Sequence, residues 1–231
     1  MSLIIAAIDR DSVQLLADPL ATNGWGSPQH LARKVKILEM SEGSAAAHLA
    51  IGITGNIAVL RAADKALVNV MRRDASNSGL PDRLADAAEL IDMATHNIQE
   101  FWQLVIVGRQ AVTGRFFAAL IQQNAGVVNY LDSLEVGNTG ISQDGFPDHG
   151  QYIIAGAGED YVRGWLDHRP LWLPNREPDR RSRSELAIEA MRQACQVIPA
   201  LVQSAHIDKI VIDRHSATFS QIPVEEDAHD D

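Results

Sequence analysis

Cysteine is almost absent from this chain: Cys195 is the only one in 231 residues. A disulfide within the chain is therefore excluded, which suits a reducing compartment. Cations are scarce too, with 20 Lys and Arg against 30 Asp and Glu, for a formal net charge of -10. Nucleic-acid affinity draws on clustered Lys and Arg, so no nucleic-acid partner is expected. The one basic cluster, Arg180, Arg181 and Arg183, has acidic residues on both sides and reads as a solvated loop. No apolar run reaches the roughly 18 residues that suggest a membrane helix. The start lacks the basic region and long apolar stretch of a secretory signal. No membrane partner is expected, and the cytoplasm is the expected location. The histidines do not recur at metal-ligand spacings, so neither a metal nor a cofactor is expected.

What is present is ordinary for a globular protein: 46% hydrophobic and 22% charged residues. Neither an internal repeat nor an internal linker divides the chain. Residues 2–215 read as one domain, and 216–231 as an acidic, disordered tail.

The domain opens with an apolar run, Leu3 to Ile8. The polar turn Asp9-Arg10-Asp11-Ser12 and a second run, Val13 to Ala17, follow. Two short apolar runs around a polar turn predict a β-hairpin, and a first strand apolar on both faces should be buried on both. Val35 to Leu38 and His48 to Ile53 predict a second strand pair. Helical spacing then takes over: Leu60, Ala63, Leu67 and Val70 form one apolar stripe. A second helix is expected from about Asp82 to Gln99. Strand character returns at Leu104 to Val107, Phe116 to Ile121 and Tyr152 to Ala155, with a helix over Asp160 to Leu166. A long helix should begin near Ser182, where Ser182 and Glu185 stand at capping-box spacing, and end by Pro199. Ile207 to Ile212 is the last expected strand. Helices and strands do not alternate singly, so the class is α+β: two antiparallel sheets packed together with helices outside.

One set of residues carries chemistry. A serine hydroxyl is a weak nucleophile until a base takes its proton. With Met1 removed, Ser2 would hold both the hydroxyl and a free α-amine, and an unperturbed amine pKa of about 7.7–8.0 needs only a modest downward shift to make a base at neutral pH. A nearby ammonium supplies that shift, and a carboxylate must hold the ammonium in place. A backbone N–H completes the minimal set by holding the oxyanion. Ser2 is small enough for methionine aminopeptidase to accept Met1-Ser2. Asp18 closes the hairpin, which returns it beside the start of the first strand. Lys34 precedes the third strand, and Gly52 lies in the fourth. Taken singly, Asp18 and Lys34 also fit a plain structural ion pair.

Counted from Ser2 as the first residue, Asp18 and Lys34 stand at the seventeenth and thirty-third places, and this start resembles that of proteasome β-type subunits and the HslV-like peptidase of the bacterial HslUV system. Those N-terminal-nucleophile (Ntn) hydrolases carry a nucleophilic Thr, an Asp and a Lys at these offsets. The resemblance implies a four-layer αββα sandwich, Ser2 as nucleophile, and Gly52 in Ala50-Ile51-Gly52-Ile53-Thr54-Gly55 as oxyanion residue. It also implies that Thr22 pairs with the substrate strand and that Ala50 and Thr54 line the specificity pocket. Homo-oligomeric stacked rings, peptide or unfolded protein as substrate, and an AAA+ unfoldase as partner are further implications. Three departures stand beside it. Ser2 replaces threonine, Ala157 replaces a family serine, and Ala200 and Gln203 stand where the family has a late Asp and Ser. A catalytically weak or inactive proteasome-like shell protein is accordingly the alternative.

Other motifs read as structural. Cys195 lies in an apolar helical pattern as a small hydrophobe. Gly156-Ala157-Gly158-Glu159-Asp160 lacks the Gly-Lys-Ser/Thr ending of a phosphate loop. Asn138 to His149 lacks the regular ligand spacing of a calcium loop. Trp165 and Trp172 read as packing or contact aromatics.

Overall fold

In the computed structural model, residues 2–18, 33–72, 79–133, 152–167, 182–198 and 205–225 are described. The opening run forms β1 (Leu3–Ile8), and every one of its side chains is fully buried. Successive side chains of a strand point to opposite faces. Leu3, Ile5 and Ala7 accordingly join one apolar cluster, and Ile4, Ala6 and Ile8 another. β2 (Val13–Ala17) returns antiparallel to β1, with Ile4 opposite Ala17. A strand buried on both faces must lie inside a layered structure, and the layers follow from the other elements.

The described strands make two antiparallel five-stranded sheets. The first has the order β10-β9-β2-β1-β8, with β8 (Tyr152–Gly156), β9 (His206–Ile212) and β10 (Ala217–Pro223). The second runs β3-β4-β5-β6-β7, from β3 (Val35–Leu38), β4 (Ala46–Thr54), β5 (Gln103–Gln110), β6 (Phe116–Gln122) and β7 (Gly126–Asp132). Their facing side chains, among them Ile4, Leu15, Val35, Ala50, Val105, Ala118, Ile153 and Ile210, form one core between the sheets. Helices α1 (Val59–Met71) and α2 (Leu80–Thr95) pack on the outer face of the second sheet through Ala63, Leu67, Leu84 and Ile91. Helices α3 (Glu159–Asp167) and α4 (Arg183–Val197) cover the first sheet through Val162, Leu166, Ala190 and Met191. The result is the expected αββα sandwich. Fully burying one Leu, Ile or Val contributes about 1.5–3 kcal/mol, so three such clusters dominate its stability.

Local signals account for several ends. Ser182 caps α4: its hydroxyl accepts from the Glu185 N–H (3.2 Å), and the Glu185 carboxylate accepts from the Ser182 N–H (2.6 Å). Two edge strands depart from expectation. β7 has no counterpart in the sequence pattern. β10 occupies 217–223, inside the segment expected to be a disordered tail from 216, so the ordered chain extends beyond 215. Both strands lie at a sheet edge with partly exposed, mixed-polarity faces, and neither shows an apolar run. Pro223 is tolerated because it ends an edge strand. The second helix also ends earlier, at Thr95 instead of Gln99. Thr22, the loop 138–149, Trp172, Ala200 and Gln203 lie outside the described residues. No described helix is long and apolar enough to cross a membrane.

Candidate functional site

The β1–β2 hairpin creates the site. Its register places Asp18, one residue past β2, beside Leu3, one residue before Ile4. The Asp18 N–H donates to the Leu3 carbonyl (3.2 Å), and the Leu3 N–H donates to Asp18 Oδ1 (2.7 Å). The other carboxylate oxygen, Oδ2, accepts from Lys34 Nζ at 2.9 Å. Lys34 is placed from the other sheet: it directly precedes β3, and its carbonyl accepts from the Ile53 N–H of β4 (3.0 Å). Asp18 thus links the residue after Ser2 to the ammonium, and both carboxylate oxygens are used.

Both charges are buried, with 0% exposure for Asp18 and 3% for Lys34. Burial pushes the Asp18 carboxyl up to about 6, against the Lys34 ammonium and the Leu3 N–H, which hold it down. Burial likewise lowers the Lys34 ammonium, while Asp18 and then Asp208 hold its proton on. The two side chains face each other as a salt bridge at 2.9 Å.

Ser2 is half-buried, and its backbone is fixed from a third direction. Its carbonyl accepts from the Ala157 N–H at 2.9 Å, just past β8. Gly156 makes that approach possible. Its φ is +104°, and a Cβ there would fall 1.9 Å from the Ser2 carbonyl oxygen. Gly156→Ala is expected to cost about 1–3 kcal/mol in chemical denaturation and to displace Ser2 from its bond with Ala157.

The remaining expected residues separate by depth. Ala50, Gly52 and Thr54 share the inner face of β4. Thr54 ends the strand, with its methyl 3.1 Å from the point where a Gly156 Cβ would sit, so it stands level with Ser2. Gly52 pairs with Val35, and a Cβ on it would meet Ile4, Leu15 and Val35 at 3.1–3.3 Å, which gives this glycine a packing cause. Ala50 is fully buried among the inter-sheet core residues. Trp165 packs partly buried against the core under α3 and α4.

Two polar residues escaped the sequence reading. Asp208 is buried to 1% on β9, directly opposite Ala17, and Gln221 Nε2 donates to its Oδ1 at 2.8 Å. Gln103 opens β5. The signal for both was parity. Asp208 shares the inward face of β9 with Ile210 and Ile212, and Gln103 that of β5 with Val105 and Val107. Cys195 on α4 is buried, and burial pushes its thiol up to about 12, so it is inert as a nucleophile at neutral pH.

No family model matches the sequence, and no curated protein matches it. Solved structures do match. The Anbu Gly-1 mutant from Hyphomicrobium sp. strain MC1 superposes with a TM-score of 0.66 at 11% identity, over 99% of this chain and 89% of that one. Anbu from Pseudomonas aeruginosa, solved as a helical assembly, gives 0.65 at 15% identity, over 98% and 88%. HslV from Trypanosoma brucei gives 0.56 at 16%, over 91% and 99%. The fold is proteasome-like. At these identities the likeness extends to architecture, and the site has to be argued from its own residues.

Proposed function

We propose that the chain is a proteasome-like peptidase whose nucleophile is Ser2 after removal of Met1. The observation that carries this is Asp18, which grips the Leu3 N–H with one oxygen and the Lys34 ammonium with the other. The pair lies beside the residue that follows the candidate nucleophile, which is where an ammonium is needed to hold the N-terminal amine deprotonated.

In the reaction, the α-amine of Ser2 takes the hydroxyl proton as Oγ attacks the peptide carbonyl. The Lys34 ammonium keeps that amine deprotonated at neutral pH by like-charge repulsion. The resemblance to proteasome β subunits assigns the oxyanion to the Gly52 N–H. The amine then protonates the leaving nitrogen, and the first peptide fragment departs. Water, deprotonated by the same amine, hydrolyses the Ser2 ester and releases the second fragment. The resemblance assigns the substrate strand to Thr22 and the lining of the specificity pocket to Ala50 and Thr54, whose side chains are buried in the folded chain. The assembly is a homo-oligomer of stacked rings in the cytoplasm, fed unfolded protein by an ATP-driven unfoldase of the AAA+ class. The Anbu and HslV likeness supports self-association, since the P. aeruginosa Anbu is itself an assembly.

A non-catalytic shell is the second reading. It is favoured by Ala157, which offers its N–H to the Ser2 carbonyl but brings no hydroxyl to the nucleophile. Intact mass before and after treatment with a β-lactone or a peptide epoxyketone decides between them. The peptidase is expected to lack Met1 and to gain one adduct on Ser2. Retained Met1 removes the amine base and with it the proposal. Sedimentation as a monomer only would remove the ring.

A further inference from the structure

We infer that Gln103 is a positioning residue for the Ser2 nucleophile, acting through Gly156 and Ala157. This rests on the proposed role of Ser2. Gln103 is the first residue of β5 and pairs across the strand with Thr54, the last residue of β4. Its side chain crosses the sandwich. Oε1 accepts from the Gly156 N–H at 3.1 Å and from the Thr54 hydroxyl at 3.4 Å. Gly156 belongs to the first sheet, where it pairs with Leu3 at the last rung of β1 and β8. One amide oxygen therefore ties the final rungs of both sheets at the end where Ser2 sits.

The consequence for Ser2 follows from adjacent peptide groups. The Gly156 N–H is held by Gln103, and the next N–H, that of Ala157, holds the Ser2 carbonyl (2.9 Å). Between them lies Gly156 at φ +104°, a glycine-permitted conformation with wide freedom when nothing fixes it. Gln103 removes that freedom. Without it, Gly156 can rotate, the Ala157 N–H swings away, and the backbone of Ser2 loses its contact with β8. The same oxygen orients Thr54, directing its hydroxyl to Gln103 while its methyl lies toward Gly156. Reactivity of a placed nucleophile is sensitive to small displacements, so a residue that never touches substrate can set its rate.

The test compares Gln103→Met, which keeps the length and loses the acceptor, with Gln103→Glu, which keeps Oε1. Readouts are the rate of Ser2 acylation by a β-lactone from intact mass, amide exchange at Gly156 and Ala157, and Tm. Acylation is followed from pH 6 to 9, so that the added Glu charge shows as a displaced profile and not as a lower plateau. Gln103→Met is expected to slow acylation about 10- to 100-fold and to accelerate exchange at both amides, with Gln103→Glu restoring most of the rate. If Gln103→Met fails to fold, Gln103→Asn, one methylene too short to reach Gly156, takes its place with the same expectation. Wild-type acylation and unchanged Ala157 exchange, even with a lowered Tm, would make Gln103 a clamp between the sheets only and overturn the inference. If the wild-type chain forms no adduct, the nucleophile proposal fails alone, because Ala157 exchange still decides whether Gln103 positions this backbone.

Discussion

Ser2→Ala is expected to reduce peptide hydrolysis by about 10³-fold or more while leaving Tm within a degree or two of wild type. The fold tolerates the change because Ser2 is held through its backbone: its carbonyl bonds to Ala157, and the neighbouring Leu3 N–H bonds to Asp18. Alanine is also small enough for Met1 to be removed, so the amine, Asp18 and Lys34 remain, and only the hydroxyl is lost. Ser2→Thr provides the opposite control. It keeps the hydroxyl and adds a methyl that restricts χ1, so it should retain or exceed wild-type acylation. Intact mass with a β-lactone and hydrolysis of a short fluorogenic peptide check both. Peptidase activity that survives Ser2→Ala would place the chemistry elsewhere, and a large fall in Tm would show a packing role for the Ser2 side chain.

How far these features were legible in the chain depends on what kind of signal each carried. β1 and β2 could be bounded to the residue because two apolar runs flank Asp9-Arg10-Asp11-Ser12, and because β1 is buried on both faces. The α4 start was legible because a capping box is local chemistry, and Ser182 and Glu185 bond as their spacing implies. Edge strands were not. β7 and β10 leave one side unpaired and one face partly wet, so their composition resembles loop, and 217–223 merged with the acidic residues beyond it. The ion pair was readable from offsets, since a tight hairpin turns a distance along the chain into a position in space. Gln103 and Asp208 were not, because a single polar residue on an inward face acquires meaning only when the opposite sheet is known. Gly52 shows the converse: its place in the fourth strand and the family resemblance suggested a backbone approach to substrate, and packing against Ile4, Leu15 and Val35 gives it a second cause that neither reveals.

Lys34→Met is the variant expected to have the largest effect on stability, and its pH dependence separates a structural ion pair from a functional one. Removing one partner of a buried pair leaves the other charge uncompensated, at a cost of about 3–5 kcal/mol. Asp18 is that remaining charge. Its carboxyl already sits at about 6 in the folded chain against 3.8 ordinarily, and loss of the ammonium raises it further. A group whose pKa is raised on folding favours the folded state at low pH and loses that contribution as pH rises through the folded value. Lys34→Met should therefore be more stable at pH 5 than at pH 8, as measured by urea denaturation across that range. Adding Asp18→Asn removes the charge and keeps an acceptor for the Leu3 N–H, so the double variant should regain a good part of the loss at pH 8 and show a flatter profile. Both variants should remain unable to acylate Ser2, since the ammonium that lowers the amine pKa is gone from each. If the double variant recovered acylation together with stability, Asp18 and Lys34 would be a structural pair only. Recovery of stability without acylation identifies Lys34 as the group that activates the N-terminal amine.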